Sequence, residues 1–252
     1  MSINIIETED FKAYNQLVEC KSPPPGYKKK VKNLEDFSSE MIIDILRKGS
    51  EKIHSKVLNL KNLKEKMEDE NAWELFYLLV RHLTDSVYSK IINFGKSVLK
   101  VTDPFGETIA HRIASNASNQ IRKKLLDLGL DILSLKDKRG VTVGFLLSQG
   151  ATDKMFDKMI EMGLDVLSLK NGAGSTVAHQ IALQGKESHQ LKLLEPEILT
   201  LSDNAFDTVA HLLARYGAES VRAKLREQDE EILNRVNADW RTVKDELELQ
   251  WK

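Results

Sequence analysis

A repeat of fixed length constrains this chain more than any other feature. Five segments share one phase: Gly106–His111 reads GETIAH, Gly140–Phe145 GVTVGF, Gly174–His179 GSTVAH, Phe206–His211 FDTVAH and Trp240–Asp245 WRTVKD. Their threonines stand at 108, 142, 176, 208 and 242, giving spacings of 34, 34, 32 and 34. Other columns keep the same phase. Seventeen residues after each threonine comes an apolar residue (Leu125, Met159, Leu193, Leu225), and Gly129 and Gly163 open matching Gly-Leu-Asp triplets. An apolar stretch follows at 132–135, 166–169, 198–201 and 232–233. A chain with such a period is a repeat array, and its fold is set by what one unit can bury against the next.

Each unit reads as two short helices and an extended arm. In Thr176 to Gly185, the residues Val177, Ala178, Ile181 and Ala182 mark one face at helical intervals, and Gly185 ends the run. Arg122 to Gly129 repeats that pattern with Leu125 and Leu126. Helices of about ten residues are too short to persist alone in water, so each must stack on its neighbours. Stepping back from Thr108, a further copy begins at Glu74, with Leu75, Phe76, Leu78 and Leu79, then Ile91-Ile92, Gly95 and Val98 to Val101. Another step gives Glu40, Met41 to Ile43, Ile45-Leu46 and Val57-Leu58, with the charged stretch Lys61 to Glu70 in place of the arm. The expected architecture is an all-α solenoid of helical hairpins, about six or seven repeats over 34–252. It is clearest over 95–245, degenerate over 38–94, and closed by a polar capping repeat over about 218–252. Residues 1–33 fall outside the period and form a tail or cap, with a short helix over Phe11 to Val18 and an extended proline-rich run after it.

These columns together resemble the ankyrin repeat. The Thr-Ile-Ala-His at 108–111 and Thr-Val-Ala-His at 176–179 and 208–211 are similar to that family's Thr-Pro-Leu-His opening of the first helix. The Gly-x-Thr lead-in at Gly106, Gly140 and Gly174 is shared, as are the glycines after the first helix, Gly185 and Gly217, and the Leu-Leu-x-x-Gly ending at Leu125 to Gly129. The proline is missing throughout, the leucine before histidine has become Ala110, Gly144, Ala178 and Ala210, and the period is one residue longer than the family's. The chain is identified as a divergent ankyrin array, with smaller residues that let adjacent helices approach.

The resemblance implies a structural role for the threonine and histidine columns, Thr108/His111, Thr142, Thr176/His179 and Thr208/His211, bonded to each other and to nearby backbone. It also implies that a partner protein is held by the loop tips and exposed sides of the first helices, on the concave face. Carried onto this chain, that face comprises Phe105, Glu107 and Arg112; Lys138, Arg139 and Leu146; Ala173 and Gln180; Phe206, Asp207, Leu212 and Tyr216; and Trp240. Aromatic residues and arginine anchor many protein interfaces, which favours Phe105, Phe206 and Trp240 as contacts. The alternative is that Phe206 and Trp240 replace the lead-in glycine and pack on the next unit.

Chemistry-bearing candidates are few. His179 and His211 lie in successive stacked helices about 8–10 Å apart, too far to share a zinc ion that needs nitrogens at about 2 Å; no metal or other cofactor is expected. Phe145 in the histidine column supports a structural reading. Cys20 is solitary, Gly172-Ala-Gly174 lacks the lysine of a phosphate loop, Glu68 to Glu70 reads as a solvated loop, and the short basic run Tyr27 to Lys30 reads as a solubilising segment, with contact to an acidic partner as the alternative. With 37 Lys+Arg against 38 Asp+Glu, the chain has no global field to hold nucleic acid or an anionic membrane. One cysteine, an acidic amino terminus without a secretory signal and no long apolar run point to a mature, cytoplasmic protein. The expectation is a non-catalytic scaffold for an unknown protein partner. Two rivals are a host-directed effector with residues 1–33 as delivery signal, and an enzyme with a site near His54, His82 or Cys20.

Overall fold

The computed structural model describes residues 39, 42, 43, 46, 57, 59–67, 72–79 and 85–249. It divides into two compact units, Met1–Val101 and Thr102–Lys252. The tail over 1–33, with its expected boundary, lies outside the described residues, as do Cys20, His54 and His82. Among the described residues there are helices and isolated antiparallel bridges and no strand.

In the first unit, α1 (Leu63–Lys66) is followed by α2 (Ala72–Leu79), α3 (Asp85–Phe94) and α4 (Lys96–Leu99). Helix α2 buries Leu75, Phe76, Leu78 and Leu79, α3 buries Val87, Tyr88, Ile91 and Ile92, and α4 buries Val98 and Leu99. This is the copy placed by projection from Thr108. The stretch at Lys61 to Glu70 does not replace the end of the preceding copy. It carries α1 at the register of α4, with Leu63 and Met67 fully buried.

The second unit repeats that three-helix set four times and then begins a fifth. The first helices are α5 (Ile109–Asn116), α8 (Val143–Ser148), α11 (Val177–Gln184), α14 (Val209–Tyr216) and α17 (Val243–Leu249). The second helices are α6 (Asn119–Leu126), α9 (Asp153–Glu161), α12 (Glu187–Leu191) and α15 (Glu219–Leu225). Each is followed by a four-residue helix: α7 (Leu130–Leu133), α10 (Leu164–Leu167), α13 (Pro196–Leu199) and α16 (Glu230–Leu233). The arm expected to be extended is therefore helical at its start. The physical reason is that Ile132 and Leu133 are both buried, as are Val166 and Leu167; adjacent residues of an extended chain would face opposite ways. Extended backbone appears only afterwards, where Lys136 bridges Thr142, Lys170 bridges Thr176, Ser202 bridges Thr208 and Val236 bridges Thr242.

The single 32-residue spacing has a definite location. From the copy that opens at Thr142 to the copy that opens at Thr176, the first helix starts at Val143 and Val177 and the second at Asp153 and Glu187, while the third starts at Leu164 and Pro196. The two missing residues come out of the second helix, which shrinks to Glu187–Leu191, and Pro196 takes the N1 position that suits it.

Consecutive first helices pack on one another from α5 through α17, and the second helices do so from α9 through α15. Ala110, Ala178 and Ala210 are fully buried in these contacts. At Gly144 an added Cβ would stand 2.4 Å from Leu169 Cδ1, so a small residue is a condition of the packing. Helix α8 is two residues shorter than α5, α11 and α14, and a buried guanidinium completes it. Arg122 of α6 donates through Nη2 to the carbonyls of Leu146 at 3.1 Å, Leu147 at 2.9 Å and Gln149 at 2.6 Å. The cation thus occupies the negative end of the neighbouring repeat's helix and satisfies its orphan carbonyls. Replacing Arg122 with Met, which keeps the stem and removes these charge-assisted bonds, is expected to lower unfolding free energy by about 2–3 kcal/mol in urea titrations.

Candidate functional site

The turn that precedes each first helix is built by a further column of the repeat: Asp103, Asp137, Asn171, Asp203 and Asn237. Each side-chain Oδ1 accepts two backbone N–H groups, two and four residues on. Asp137 receives Arg139 and Val141, both at 2.9 Å, and Asp203 receives Ala205 at 2.8 Å and Asp207 at 3.0 Å. The same residue's N–H bonds the carbonyl four residues later, as Asp137 does to Val141 and Asn237 to Arg241, both at 3.0 Å. A short oxygen-bearing side chain that mimics backbone suits such a turn. The signal was in the sequence, because these five positions keep the threonine phase, but Asp and Asn alternate without an invariant letter.

Three of the four pairs of successive tips are joined by hydrogen bonds. Asn204 N–H donates to Ala173 O at 2.9 Å, Ala238 N–H to Ala205 O at 2.8 Å, and Lys138 Nζ reaches Pro104 O at 2.7 Å. The tips are thus a row held at fixed spacing.

Each turn ends on the threonine that caps the next helix. Thr108 Oγ1 accepts the His111 N–H at 3.3 Å, while His111 Nδ1 accepts the Thr108 N–H at 3.1 Å and lies 2.7 Å from its hydroxyl. Thr176/His179 and Thr208/His211 repeat this geometry. Because Nδ1 receives a backbone N–H, the proton sits on Nε2, which donates to a carbonyl of the following repeat: His111 to Val141 at 3.0 Å, His179 to Asp207 at 3.1 Å and His211 to Arg241 at 3.2 Å. One imidazole therefore caps its own helix and ties the next repeat's turn. Burial pushes all three imidazoles below the ordinary histidine range, with the bond to the next repeat's carbonyl acting against it.

Two copies lack the histidine and substitute other acceptors. Where Phe145 stands, both the Thr142 N–H and its hydroxyl turn to Lys170 O, at 2.9 and 3.0 Å. In the fifth copy the Asp245 carboxylate takes the place of the ring, accepting the Thr242 N–H at 2.8 Å and hydroxyl at 2.7 Å.

The residues expected on the partner face separate into two groups. Phe105, Phe206, Tyr216 and Trp240 are 77%, 64%, 59% and 88% exposed. Lys138, Arg139 and Ala173 are exposed too, with Gln180, Arg112 and Leu146 partly so. Leu212, at 8% exposure, is buried; its place in α14 turns it into the stack rather than outward, and its expected exposure is corrected. Glu107 and Asp207 are committed to internal pairs. Glu107 meets Arg112 at 3.0 Å, and Asp207 is gripped by both Nη atoms of Arg215 and by Asn237 Nδ2. Burial pushes the Asp207 carboxyl up, but the bonds from Arg215 and Asn237 outweigh it and hold it below the usual carboxylate range. Arg215 Nε also meets the buried Glu246 of α17 at 3.0 Å, which fastens the last helix.

Phe206 and Trp240 replace the lead-in glycine and stay largely exposed. Both hold left-handed backbone at φ 60°, the position occupied by Gly106, Gly140 and Gly174 in earlier copies. At Gly174 a Cβ would also approach Asn204 Oδ1 to 2.6 Å, whereas the later tips leave room for a side chain directed outward. Left-handed backbone in a bulky residue costs on the order of 1 kcal/mol.

No group of three or more His, Cys, Asp or Glu among the described residues is arranged to hold a metal ion, and no described helix is long and apolar enough to cross a membrane.

No family model matches this sequence, and no curated protein is similar to it by sequence. Solved structures are similar in fold. The ankyrin repeat domain of Bcl-3, a member of the IkappaB protein family, superposes with a TM-score of 0.52 at 16% identity, covering 86% of this chain and 99% of that one. A chain of the complex between the predatory endopeptidase Bd0816 of Bdellovibrio bacteriovorus and immunity protein Bd3460 superposes at 0.44 and 20% identity, covering 75% and 91%. The fold is an all-α ankyrin-type repeat solenoid, and the chain is a divergent example of it.

Thr176→Val keeps the shape of the cap but removes its acceptor and the hydroxyl bonded to His179. It is expected to cost about 1–2 kcal/mol, read as a lower thermal midpoint with unchanged helical circular dichroism.

Proposed function

We propose that this protein is a non-catalytic interaction module that holds a protein partner against its loop tips and the exposed sides of its first helices. The single observation that carries the reading is the pair Phe206 and Trp240. Two large rings are held outward on strained backbone where three preceding turns use glycine, and neither ring contributes to the core. Strain that stabilises nothing in the free protein is accounted for by what the side chain does elsewhere. Phe105 and Tyr216 add exposed aromatic surface, and Lys138, Arg139 and Gln180 supply polar groups between them. The residues that fix the tips, namely the Asp/Asn column, the Thr/His column and the Arg215 cluster, position this surface without belonging to it. A row of tips at fixed spacing reduces the ordering cost of association. Glu107, Asp207 and Leu212 support the surface from beneath. The same reading places the protein in a reducing, cytoplasmic compartment, in keeping with its one cysteine.

The test is the double substitution Phe206→Gly and Trp240→Gly. Relief of two left-handed side chains is expected to raise unfolding free energy by about 1–2 kcal/mol, while partners recovered from native cells with the full chain as bait fall at least about tenfold, as loss of aromatic anchors implies. Unchanged partner recovery from a variant that folds normally would overturn the assignment.

A further inference from the structure

The three bridging histidines have a property that capping alone does not require. Each ring is buried, and each has both nitrogens committed in a fixed sense: Nδ1 accepts the threonine N–H of its own repeat and Nε2–H donates to a carbonyl of the next. A second proton can go only to Nδ1. There it would displace the backbone N–H of Thr108, Thr176 or Thr208, a donor 3.1–3.2 Å away that cannot turn into an acceptor, and it would have to bond the threonine hydroxyl 2.7–2.8 Å away, which must then turn from donor to acceptor while still accepting the histidine N–H. The joint governed by Thr142 contains no such group, because Lys170 O accepts both of its protons and Phe145 fills the ring position.

We propose that His111, His179 and His211 act as acid-released ties between successive repeats, so that acidification loosens the joints they govern and spares the joint between Thr142 and Lys170. The charged groups facing each ring are Asp137, Glu107 and Arg139 at His111, Asp203 and Asp207 at His179, and Asp207, Arg215 and Glu246 at His211. The nearby carboxylates favour a charged ring, but burial outweighs them at all three sites. The sign follows from linkage. The folded rings titrate below the unfolded value of about 6.5, so the unfolded state binds more protons; their stabilisation is complete above about pH 6.5 and is lost as pH falls below it. His211 ties the turn that carries Trp240, through the Arg241 carbonyl.

Hydrogen–deuterium exchange of the full chain at pH 7.5 and 5.5, corrected for intrinsic rates, tests this. Protection of peptides spanning 108–116, 176–184 and 208–216 is expected to fall up to about tenfold more than that of 142–148, the limit for a ring that stays neutral when folded, one pH unit below 6.5. His211→Phe, which copies the residue the chain uses at 145, is expected to abolish the extra fall in 208–216. Phe145→His is expected to create one in 142–148, and it decides the matter if His211→Phe does not fold. An equal fall in all four peptides of the natural protein, or a folded Phe145→His variant whose 142–148 peptide is insensitive to acid, would overturn the proposal.

Discussion

The structure depends on one bond pattern: a side chain that closes its own helix while holding the turn of the next repeat. The helices of the second unit run from four to nine residues, and such lengths are not stable in isolation. Burial of Ile109, Val143, Val177, Val209 and Val243 between neighbouring copies supplies the drive to stack, but burial alone does not set register. Register comes from the turn oxygens of Asp103, Asp137, Asn171, Asp203 and Asn237, and from the carbonyls at Val141, Asp207 and Arg241 to which the imidazoles reach. Those bonds are buried and point in fixed directions, so a repeat can dock on its neighbour in one way.

The departures from the pattern are as informative as its recurrence. Thr142 keeps the hydroxyl cap of Phe145 N–H while transferring its two protons to Lys170 O, and Thr242 uses the exposed Asp245 carboxylate in place of a ring. The shortened helix α8 is completed by Arg122, a cation placed against carbonyls rather than against a carboxylate. Around α14 the same need is met by Arg215 between Asp207 and Glu246. In each case the requirement is that a buried donor or acceptor find a partner, and the chain meets it with different chemistry.

The outward surface follows a different rule. The tips are fixed by backbone, by the turn column and by side chains such as Lys138, which leaves Phe206 and Trp240 without a bonding duty there. Glycine relieves the left-handed backbone in three copies; Phe206 and Trp240 accept the strain and remain in water. The turns are held by bonds to the interior while the aromatic rings at the rim stay in water, which is the arrangement the proposed partner surface calls for.

The period, the helical hairpins, the threonine caps and the burial of Ala110, Ala178 and Ala210 were all legible in the sequence, because every copy must solve the same packing problem and repetition makes the solution visible. What repetition hid was anything that varied within a column or joined one repeat to another: the Asp/Asn turn oxygens, Arg122, and the Arg215 cluster. The apolar pairs at 132–133 and 166–167 gave no sign of helix, since two adjacent hydrophobic residues carry no period. Leu212 shows the same limit from the other side, for an apolar residue one position past a buried histidine can face either way until the neighbouring helix is in place. By itself the sequence determined that the chain is a stack of like units; the tertiary structure decided which side chains face the seam between units and which face the solvent, because that depends on the rotation of each helix against its neighbour, a quantity no single repeat contains.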